Sequence, residues 1–80
     1  MAVEKLLERI STDPNVCGGR PCIRGHRIWV SLILGLLADG MSFDDILDEY
    51  PGLERDDVLA CIAFGAKLAD GRFVDVPESA

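Results

Sequence analysis

The fold is decided by the stretch VSLILGLLADGMSFDDILDEYPGLERDDVLACIAFGAKLA, residues 30–69, in which three apolar segments are separated by two turn signals. The first segment, residues 30–38, is interrupted only by Ser31 and Gly35, and a helix with no polar face is normally buried on every side. Gly40 suits the left-handed conformation that closes a helix. The sequence therefore predicts a buried helix that ends just before Gly40.

A second helix is predicted at residues 43–50. Ser42 can cap its N-terminus, and Asp45 can complete a capping box, with Asp in place of the usual Glu or Gln. Apolar residues recur at i, i+3, i+4 and i+7, which predicts one buried stripe: Phe43, Ile46, Leu47 and Tyr50. The acidic residues are predicted to face outward: Asp44, Asp48 and Glu49. Pro51 and Gly52 stop this helix.

A third helix is predicted from residue 54 or 55 to residue 69. Asp56 and Asp57 lie in its first turn, where carboxylates complement the helix dipole. One face carries mainly small residues that would let another helix approach closely: Val58, Cys61, Ile62, Gly65, Ala66 and Ala69. Gly71 is expected to stop the helix, and residues 71–80 are expected to form a tail that adds a short strand or hangs free.

The segment in front of these helices, VCGGRPCIRGHRIWV (residues 16–30), holds three of the eight basic residues and no acidic one, although the formal net charge of the chain is −6. Glycine turns and Pro21 predict short extended pieces, so residues 1–29 are expected to form a small β arm or hairpin. Residues 3–9 fit a short helix, and residues 9–11 fit the start of a strand. Both alternatives stay open.

The size of the chain predicts one domain and a partner. Eighty residues make a single domain, divided here into the arm (1–29), the helical core (30–70) and the tail (71–80). A chain this short buries only about 60% of its unfolded surface, yet 49% of its residues are hydrophobic. The helix at residues 30–38 can pack one side under the next helix and has nothing for its other side. We therefore expect a homodimer.

Composition also bounds the class of protein. The net negative charge argues against non-specific binding of nucleic acid, which needs an excess of Lys and Arg. The longest apolar run is too short to span a bilayer, so no membrane association is expected. Three cysteines without a secretory signal fit free thiols in a reducing cytoplasm.

No residue set has the pattern of a catalytic, cofactor or metal site. The atom types for zinc are present in Cys17, Cys22, His26 and Cys61, but their C-x4-C-x3-H spacing matches no strong zinc pattern. The glycines lack the G-K-[S/T] ending and the strand-to-helix context of phosphate loops. His26 has no serine or cysteine arranged with it in the pattern of a catalytic triad. We predict no metal, no cofactor and no enzyme activity.

The second and third helices, joined by Pro51-Gly52-Leu53, have the short Gly-containing turn of a helix-turn-helix. The N-terminal residues of a recognition helix meet DNA bases between phosphates. Here three acids, Glu54, Asp56 and Asp57, surround the lone Arg55. The architecture thus favours DNA binding, while the charges oppose it.

A family resemblance appears at residues 11–65. The matching elements are Asp13-Pro14, Gly19-Arg20-Pro21, Gly25 with Arg27-Ile28 and Val30, Gly40, the run from Ser42 to Leu47, and Tyr50-Pro51 with Leu53. In this order they resemble the family catalogued as domain of unknown function 433. This sequence departs from the family pattern at His26 and Trp29, where Thr and Pro are usual, and at Glu54, where loss of a Thr removes a capping oxygen.

The resemblance implies a mostly α fold: a three-helix, homeodomain-like helix-turn-helix bundle preceded by a short β arm. It also implies a bacterial or archaeal cytoplasmic protein of the antitoxin type, paired with a small PIN-like ribonuclease toxin. We therefore expect an interaction module that dimerises and neutralises such a toxin. The alternative is a DNA-binding transcriptional regulator, which could act on its own operon.

The residues expected to contact a partner or nucleic acid are Arg20, Arg24, Arg27, Trp29 and Arg55. The arm arginines can meet an acidic surface, although Arg27 could equally pair with Asp39 or Asp45 of its own chain. Trp29 follows the arm at a position where the family tolerates Pro, so its indole is expected at an interface, where tryptophan is enriched among hot spots.

Overall fold

The computed structural model describes residues 3–15 and 17–71, and these form a mostly helical fold with a small β-sheet. In chain order the elements are α1 (Val3–Leu7), β1 (Ile10–Ser11), a 3-10 turn (Cys17–Gly19), β2 (Cys22–Ile23), β3 (Ile28–Trp29), α2 (Val30–Ala38), α3 (Phe43–Glu49) and α4 (Arg55–Gly71). The expected combination of a β arm and a helical core is confirmed. Apart from Gly71, the predicted tail lies outside the described residues.

The number of helices corrects the prediction of a three-helix bundle, because the described chain has four. The additional helix, α1, is only five residues long and is too short to be stable alone. It forms because Leu6 is buried and α1 packs on α4, more than forty residues away in sequence. Both alternatives for this region are present in succession, since a turn at residues 8–9 leads from α1 into β1.

The three strands form an antiparallel sheet in the order β1-β2-β3. Ile23 of the central strand pairs with Ile10 on one side and with Ile28 on the other. The turn between β2 and β3 contains Gly25 with φ 84° and Arg27 with φ 57°. Glycine adopts such left-handed angles without steric cost, which allows the arm to fold back on itself as predicted.

The end of α2 is closed by the left-handed Gly40, as predicted, with φ 98°. Its N–H donates to the Leu37 carbonyl at 3.0 Å, and the Met41 N–H donates to the Leu36 carbonyl at 3.1 Å. These two bonds are those of a Schellman motif, which satisfies the last carbonyls of the helix.

The predicted capping box at the start of α3 is also confirmed. The Asp45 N–H donates to Ser42 Oγ at 3.0 Å, and the Ser42 N–H donates to Asp45 Oδ2 at 3.2 Å. Ile46 is fully buried, whereas the three acidic residues of the outer face are exposed as expected: Asp44, Asp48 and Glu49.

The long helix α4 supports the predicted small-residue face only along part of its length. Val58 and Cys61 are fully buried, but Ile62 is 39% exposed, and the alanines further along, Ala66 and Ala69, are exposed as well. The helix is 17 residues long, about 25 Å, and reaches beyond the core of so small a chain.

One buried cluster joins β2, α2, α3 and α4, and its fully buried members include Ile23, Ile33, Ile46, Val58 and Cys61. α2 and α4 meet at Gly65, where an added Cβ would lie 3.1 Å from Leu34 Cδ1. The absence of a side chain at Gly65 therefore permits the close approach of these helices. Among the described helices, none has the length and apolar character needed to cross a bilayer.

Candidate interaction surface

The outer face of α2 is exposed, uncharged and largely apolar. The sequence predicts burial on every side, but within this chain only Val30 and Ile33 of this helix are buried. Leu32 is 40% exposed, and the other exposed positions of the helix are Ser31, Gly35 and Ala38. A Cβ added at Gly35 would meet nothing within 4 Å among its neighbours, so this position is open. We call these four residues the outer α2 face.

Trp29 lies at the junction of β3 and α2 and is 41% exposed. The guanidinium carbon of Arg20 lies 4.5 Å from the centroid of its indole ring, within the range of a cation–π contact. The structure thus brings together two of the predicted contact residues, Arg20 just before β2 and Trp29 at the end of β3. The stacking orients Arg20, whose side chain would otherwise have many rotamers.

An apolar groove of about 290 Å³ runs beside this pair, between α2 and α4. Its described lining residues are Arg20, Pro21, Val30, Ser31, Leu34, Phe64 and Leu68. Arg20 is the single charged residue among them. We call this feature the α2–α4 groove, and it offers an apolar floor with one cation at its rim.

Arg24, also predicted to contact a partner, is directed to the backbone of its own chain. Its Nε donates to the Glu8 carbonyl at 3.0 Å, and its Nη2 donates to the Ile10 carbonyl at 2.9 Å. These bonds join the turn after β2 to Glu8, which lies between α1 and β1, and to Ile10 of β1. Arg24 therefore has a structural task in addition to any contact it makes outside the chain.

Arg27 lies exposed in the same turn with a left-handed backbone. The ion pairs of the described residues all involve Arg9, so Arg27 is paired with neither Asp39 nor Asp45. The Asp45 carboxylate instead accepts the backbone bond of the α3 capping box.

Arg55 belongs to a different group of residues, at the junction of α3 and α4. Its guanidinium carbon lies 4.6 Å from the centroid of the Phe43 ring. A guanidinium stacked on a ring face keeps its N–H groups at the edge, where they remain available to acceptors. The lone base at the start of α4 is thus held in place by α3.

Sequence reasoning missed Arg9, which reaches the acidic start of α4. Its Nη1 donates to Glu54 Oε1 at 2.9 Å and to Asp57 Oδ1 at 3.1 Å, and its Nη2 lies 3.7 Å from Asp56 Oδ2. The bonds to Glu54 and then Asp57 raise the pKa of the Arg9 guanidinium. More than forty residues separate the partners, so no local sequence pattern could reveal this cluster.

Asp57 has a second contact that fixes the direction of its carboxylate. The side chain is buried, and its Oδ2 accepts the Glu54 N–H at 2.8 Å, so it caps α4 in the manner of a capping box. The charge at the start of α4 is therefore two arginines against three carboxylates. The repulsion of phosphate expected from the sequence is reduced by Arg9.

The thiols have different degrees of protection. Burial raises the pKa of the Cys22 thiol, and the neighbouring Cys17 thiol raises it further. Burial, with a smaller effect of Asp57, raises the pKa of the Cys61 thiol to about 12.

His26 lies against the α3–α4 turn, with its Cε1 3.5 Å from the position of a Cβ on Gly52. Within residues 3–15 and 17–71, no three His, Cys, Asp or Glu side chains are grouped to hold a metal ion.

Comparison of the sequence with known protein families identifies a match. Residues 10–65 match the family described as protein of unknown function (DUF433), which covers more than half of the chain. The chain belongs to this family. It is also 33% identical over 75 residues to the "Uncharacterized protein y4eO" of Sinorhizobium fredii.

The alignment with y4eO covers 89% of this chain and 34% of the relative, so the chain spans about a third of that protein's length. No solved structure matches the chain. The matched family region begins at β1 and ends within α4, and it includes the arm arginines, Trp29 and the outer α2 face.

Proposed function

We propose that this chain is a small cytoplasmic interaction module, the antitoxin of a toxin–antitoxin pair, that forms a homodimer and neutralises a PIN-like ribonuclease. The observation that carries the proposal is the outer α2 face, which is uncharged and exposed beside the stacked Arg20 and Trp29. An exposed, uncharged helix face that carries apolar side chains is the kind of surface that a partner can cover.

The outer α2 face favours a second copy of the chain as its partner. Gly35 lets another helix approach closely, and Leu32 supplies apolar surface that is removed from water on association. Full burial of a leucine side chain contributes about 2 kcal/mol, and Leu32 is 40% exposed in the single chain, so burying the remainder contributes about 0.8 kcal/mol. In a dimer the same residues are contributed twice, so the stabilisation is doubled.

Trp29 and Arg20 favour an acidic protein partner such as the ribonuclease. Tryptophan and arginine are the residues enriched in binding hot spots, and a stacked arginine loses less conformational entropy on binding. The arm presents Arg27 nearby and carries no acidic residue between positions 16 and 30.

Inhibition of the nuclease tests this proposal. The product of any PIN-like ribonuclease gene adjacent to the gene for this chain is purified and titrated with the wild-type protein and with Trp29→Ala, and RNA cleavage is followed. We expect stoichiometric inhibition by the wild type and weakening by about 2 kcal/mol, roughly 30-fold, for the variant. Ile62→Ala is the matched control, because Ile62 is similarly exposed on α4. Equal inhibition by wild type and Trp29→Ala would assign the contact to another surface.

A second candidate function is DNA binding through α3 and α4 as a homeodomain-like helix-turn-helix, by which the protein would regulate its own operon. The observation that favours it is the placement of Arg55 on Phe43 at the start of α4, where Arg9 offsets part of the acidic charge. Residues 50–54 join the two helices, with Leu53 buried.

The salt dependence of binding to the promoter DNA separates the two groups of arginines. Each neutralised phosphate contributes a slope of about −0.9 in log K against log salt, so loss of one contact changes the slope by about one unit. If α4 contacts DNA, Arg55→Ala reduces the slope and Arg20→Ala does not. The opposite result assigns the DNA contact to the arm. If the wild-type protein does not bind the promoter DNA at all, the ribonuclease is the remaining proposed partner.

A further inference from the structure

Cys17 and Cys22 stand at the two ends of the short connection that leads into β2. Cys17 begins the 3-10 turn, and Cys22 is the first residue of the strand. Both thiols are free, and they lie close enough to interact with each other. We propose that these two thiols form an intramolecular disulfide on oxidation, and that this bond changes the stacking of Arg20 on Trp29.

The backbone of the connection is folded back tightly and held at both ends. Cys17 and the two glycines after it have left-handed φ angles of 55°, 65° and 84°. The Arg20 N–H donates to the Cys17 carbonyl at 3.2 Å, and the Val30 N–H donates to the Pro21 carbonyl at 3.1 Å. A residue with a Cβ is unfavourable at such angles, so the surrounding structure must impose this conformation on Cys17.

The two thiols differ in their access to solvent, which gives them different roles. Cys17 is partly exposed, whereas Cys22 is 1% exposed. Burial, followed by the Cys17 thiol, raises the pKa of Cys22, so Cys22 is protonated at neutral pH and is a poor first nucleophile. Cys17 is therefore the thiol that meets an oxidant in solution. The third thiol, Cys61, is fully buried in α4 and is not a member of this pair.

The oxidant that the step requires is a small soluble disulfide such as glutathione disulfide. The Cys17 thiolate attacks one of its sulfurs, forms a mixed disulfide and releases one glutathione. Cys22 then loses its proton and attacks the Cys17 sulfur, which releases the second glutathione. Two electrons pass from the cysteine pair to the oxidant, and the two cysteine protons end on the two glutathione molecules.

The new bond acts on the candidate interaction surface because the residues of that surface adjoin it. Arg20 lies within the loop that the disulfide closes, and Trp29 pairs with Cys22 across β2 and β3. Formation of the bond draws the two sulfurs to a separation of about 2 Å, which moves the turn that carries Arg20 relative to the indole ring. The proposal holds whether the partner of this surface is a protein or DNA.

Mass spectrometry of the full chain tests the bond. The chain is equilibrated with mixtures of reduced and oxidised glutathione, quenched with acid, and alkylated in denaturant. We expect the wild type to lose two hydrogen atoms, to keep only the Cys61 thiol for alkylation, and to give a Cys17–Cys22 link in the peptide map. Cys17→Ser should lack this link, and Cys61→Ala should keep it. A glutathione adduct or a covalent dimer as the final product, or thiols that stay free in every mixture, overturns the proposal.

The same titration in urea shows whether the fold positions the thiols. Only four residues separate the two cysteines, so the unfolded chain can also form the bond. We expect its equilibrium constant to be at least about tenfold larger in the folded chain, which corresponds to a reduction potential about 30 mV lower. Equal constants in the folded and unfolded chains would mean that the fold does not position the pair.

The emission of Trp29, the single tryptophan of the chain, tests the effect on the surface. We expect oxidation to shift the emission of the wild type and not that of Cys17→Ser. Arg20→Ala lacks the stacked guanidinium, so it should form the disulfide with a smaller shift in emission. An unchanged emission in the oxidised wild type, or an equal shift in Arg20→Ala, overturns the proposed coupling to the stacked pair.

Discussion

Replacing Asp57 by alanine tests the account of how α4 begins. The carboxylate is buried and accepts two hydrogen bonds, from the Glu54 N–H at 2.8 Å and from the Arg9 Nη1 at 3.1 Å. Alanine leaves both donors without this acceptor. A hydrogen bond to a charged group contributes about 1.5–3 kcal/mol, so loss of the backbone bond alone costs about 2 kcal/mol. The loss of the Arg9 contact acts in the same direction.

The expected consequence is a large fall in thermal stability. For a domain of this size, 1 kcal/mol lowers Tm by about 4–8 °C, so Asp57→Ala should lower it by roughly 10 °C. Circular dichroism at 222 nm follows the unfolding of the helices, and urea unfolding gives the free energy directly.

Two comparison variants separate the contributions. Asp57→Asn keeps an oxygen for the Glu54 N–H but turns an amide donor towards Arg9, so its loss should be intermediate. Asp56→Ala removes a contact at 3.7 Å and one carboxylate of the first turn of α4, and it should change stability by less than about 1 kcal/mol. If Asp57→Ala is as stable as the wild type, or if Asp56→Ala is equally damaging, the assigned role of Asp57 is wrong.

Three further predictions concern the core, the arm and the thiols. Ile33→Ala, at a fully buried position of α2, should cost about 2–5 kcal/mol in urea unfolding, and a loss below 1 kcal/mol would contradict tight packing there. Arg24→Ala should lower stability by about 1 kcal/mol because two backbone carbonyls lose a donor, whereas Arg20→Ala should leave Tm nearly unchanged. Burial raises the pKa of Cys61 from 9.0 to about 12, so the folded chain holds this proton more tightly than the unfolded chain. Stability is therefore fully present below pH 9 and is lost as pH rises towards 12, by up to about 1.4 kcal/mol per pH unit, and the loss should be shallower in Cys61→Ala.

The boundaries of α2 and α3 were predictable because capping residues close to each helix end determine them. α2 occupies the residues expected from its apolar run, Gly40 closes it, and Ser42 with Asp45 caps α3. Each of these signals acts over three or four residues, so the sequence alone contains it.

Features that depend on distant residues were predictable only as open alternatives or not at all. The helix at residues 3–9 was one of two alternatives, and the burial of Leu6 where α1 packs on α4 stabilises it. The contact by which Arg9 offsets the acidic start of α4 was not predicted. A helical periodicity indicates an apolar face but not how far along the helix the packing partner extends. The exposure of Ile62 was therefore not predicted.

The candidate surface was predictable in part. The clustering of the arm arginines and the family's tolerance of Pro at the position of Trp29 marked these residues as candidates, but they did not indicate which arginine is directed inwards. The structure assigns Arg24 to backbone carbonyls and Arg20 to the indole ring. Both assignments depend on the antiparallel pairing of β2 with its neighbours, which no short pattern specifies.

Sedimentation velocity of the wild type and of Leu32→Lys tests the central claim most directly, with Ile62→Lys as the matched control. Leu32 and Ile62 are 40% and 39% exposed, so neither lysine disturbs the core, but only Leu32 belongs to the outer α2 face. The account predicts a dimer for the wild type and for Ile62→Lys at micromolar concentration, and an 8.7 kDa monomer for Leu32→Lys. A wild-type protein that sediments only as an 8.7 kDa species, or a Leu32→Lys variant that remains a dimer, would contradict it.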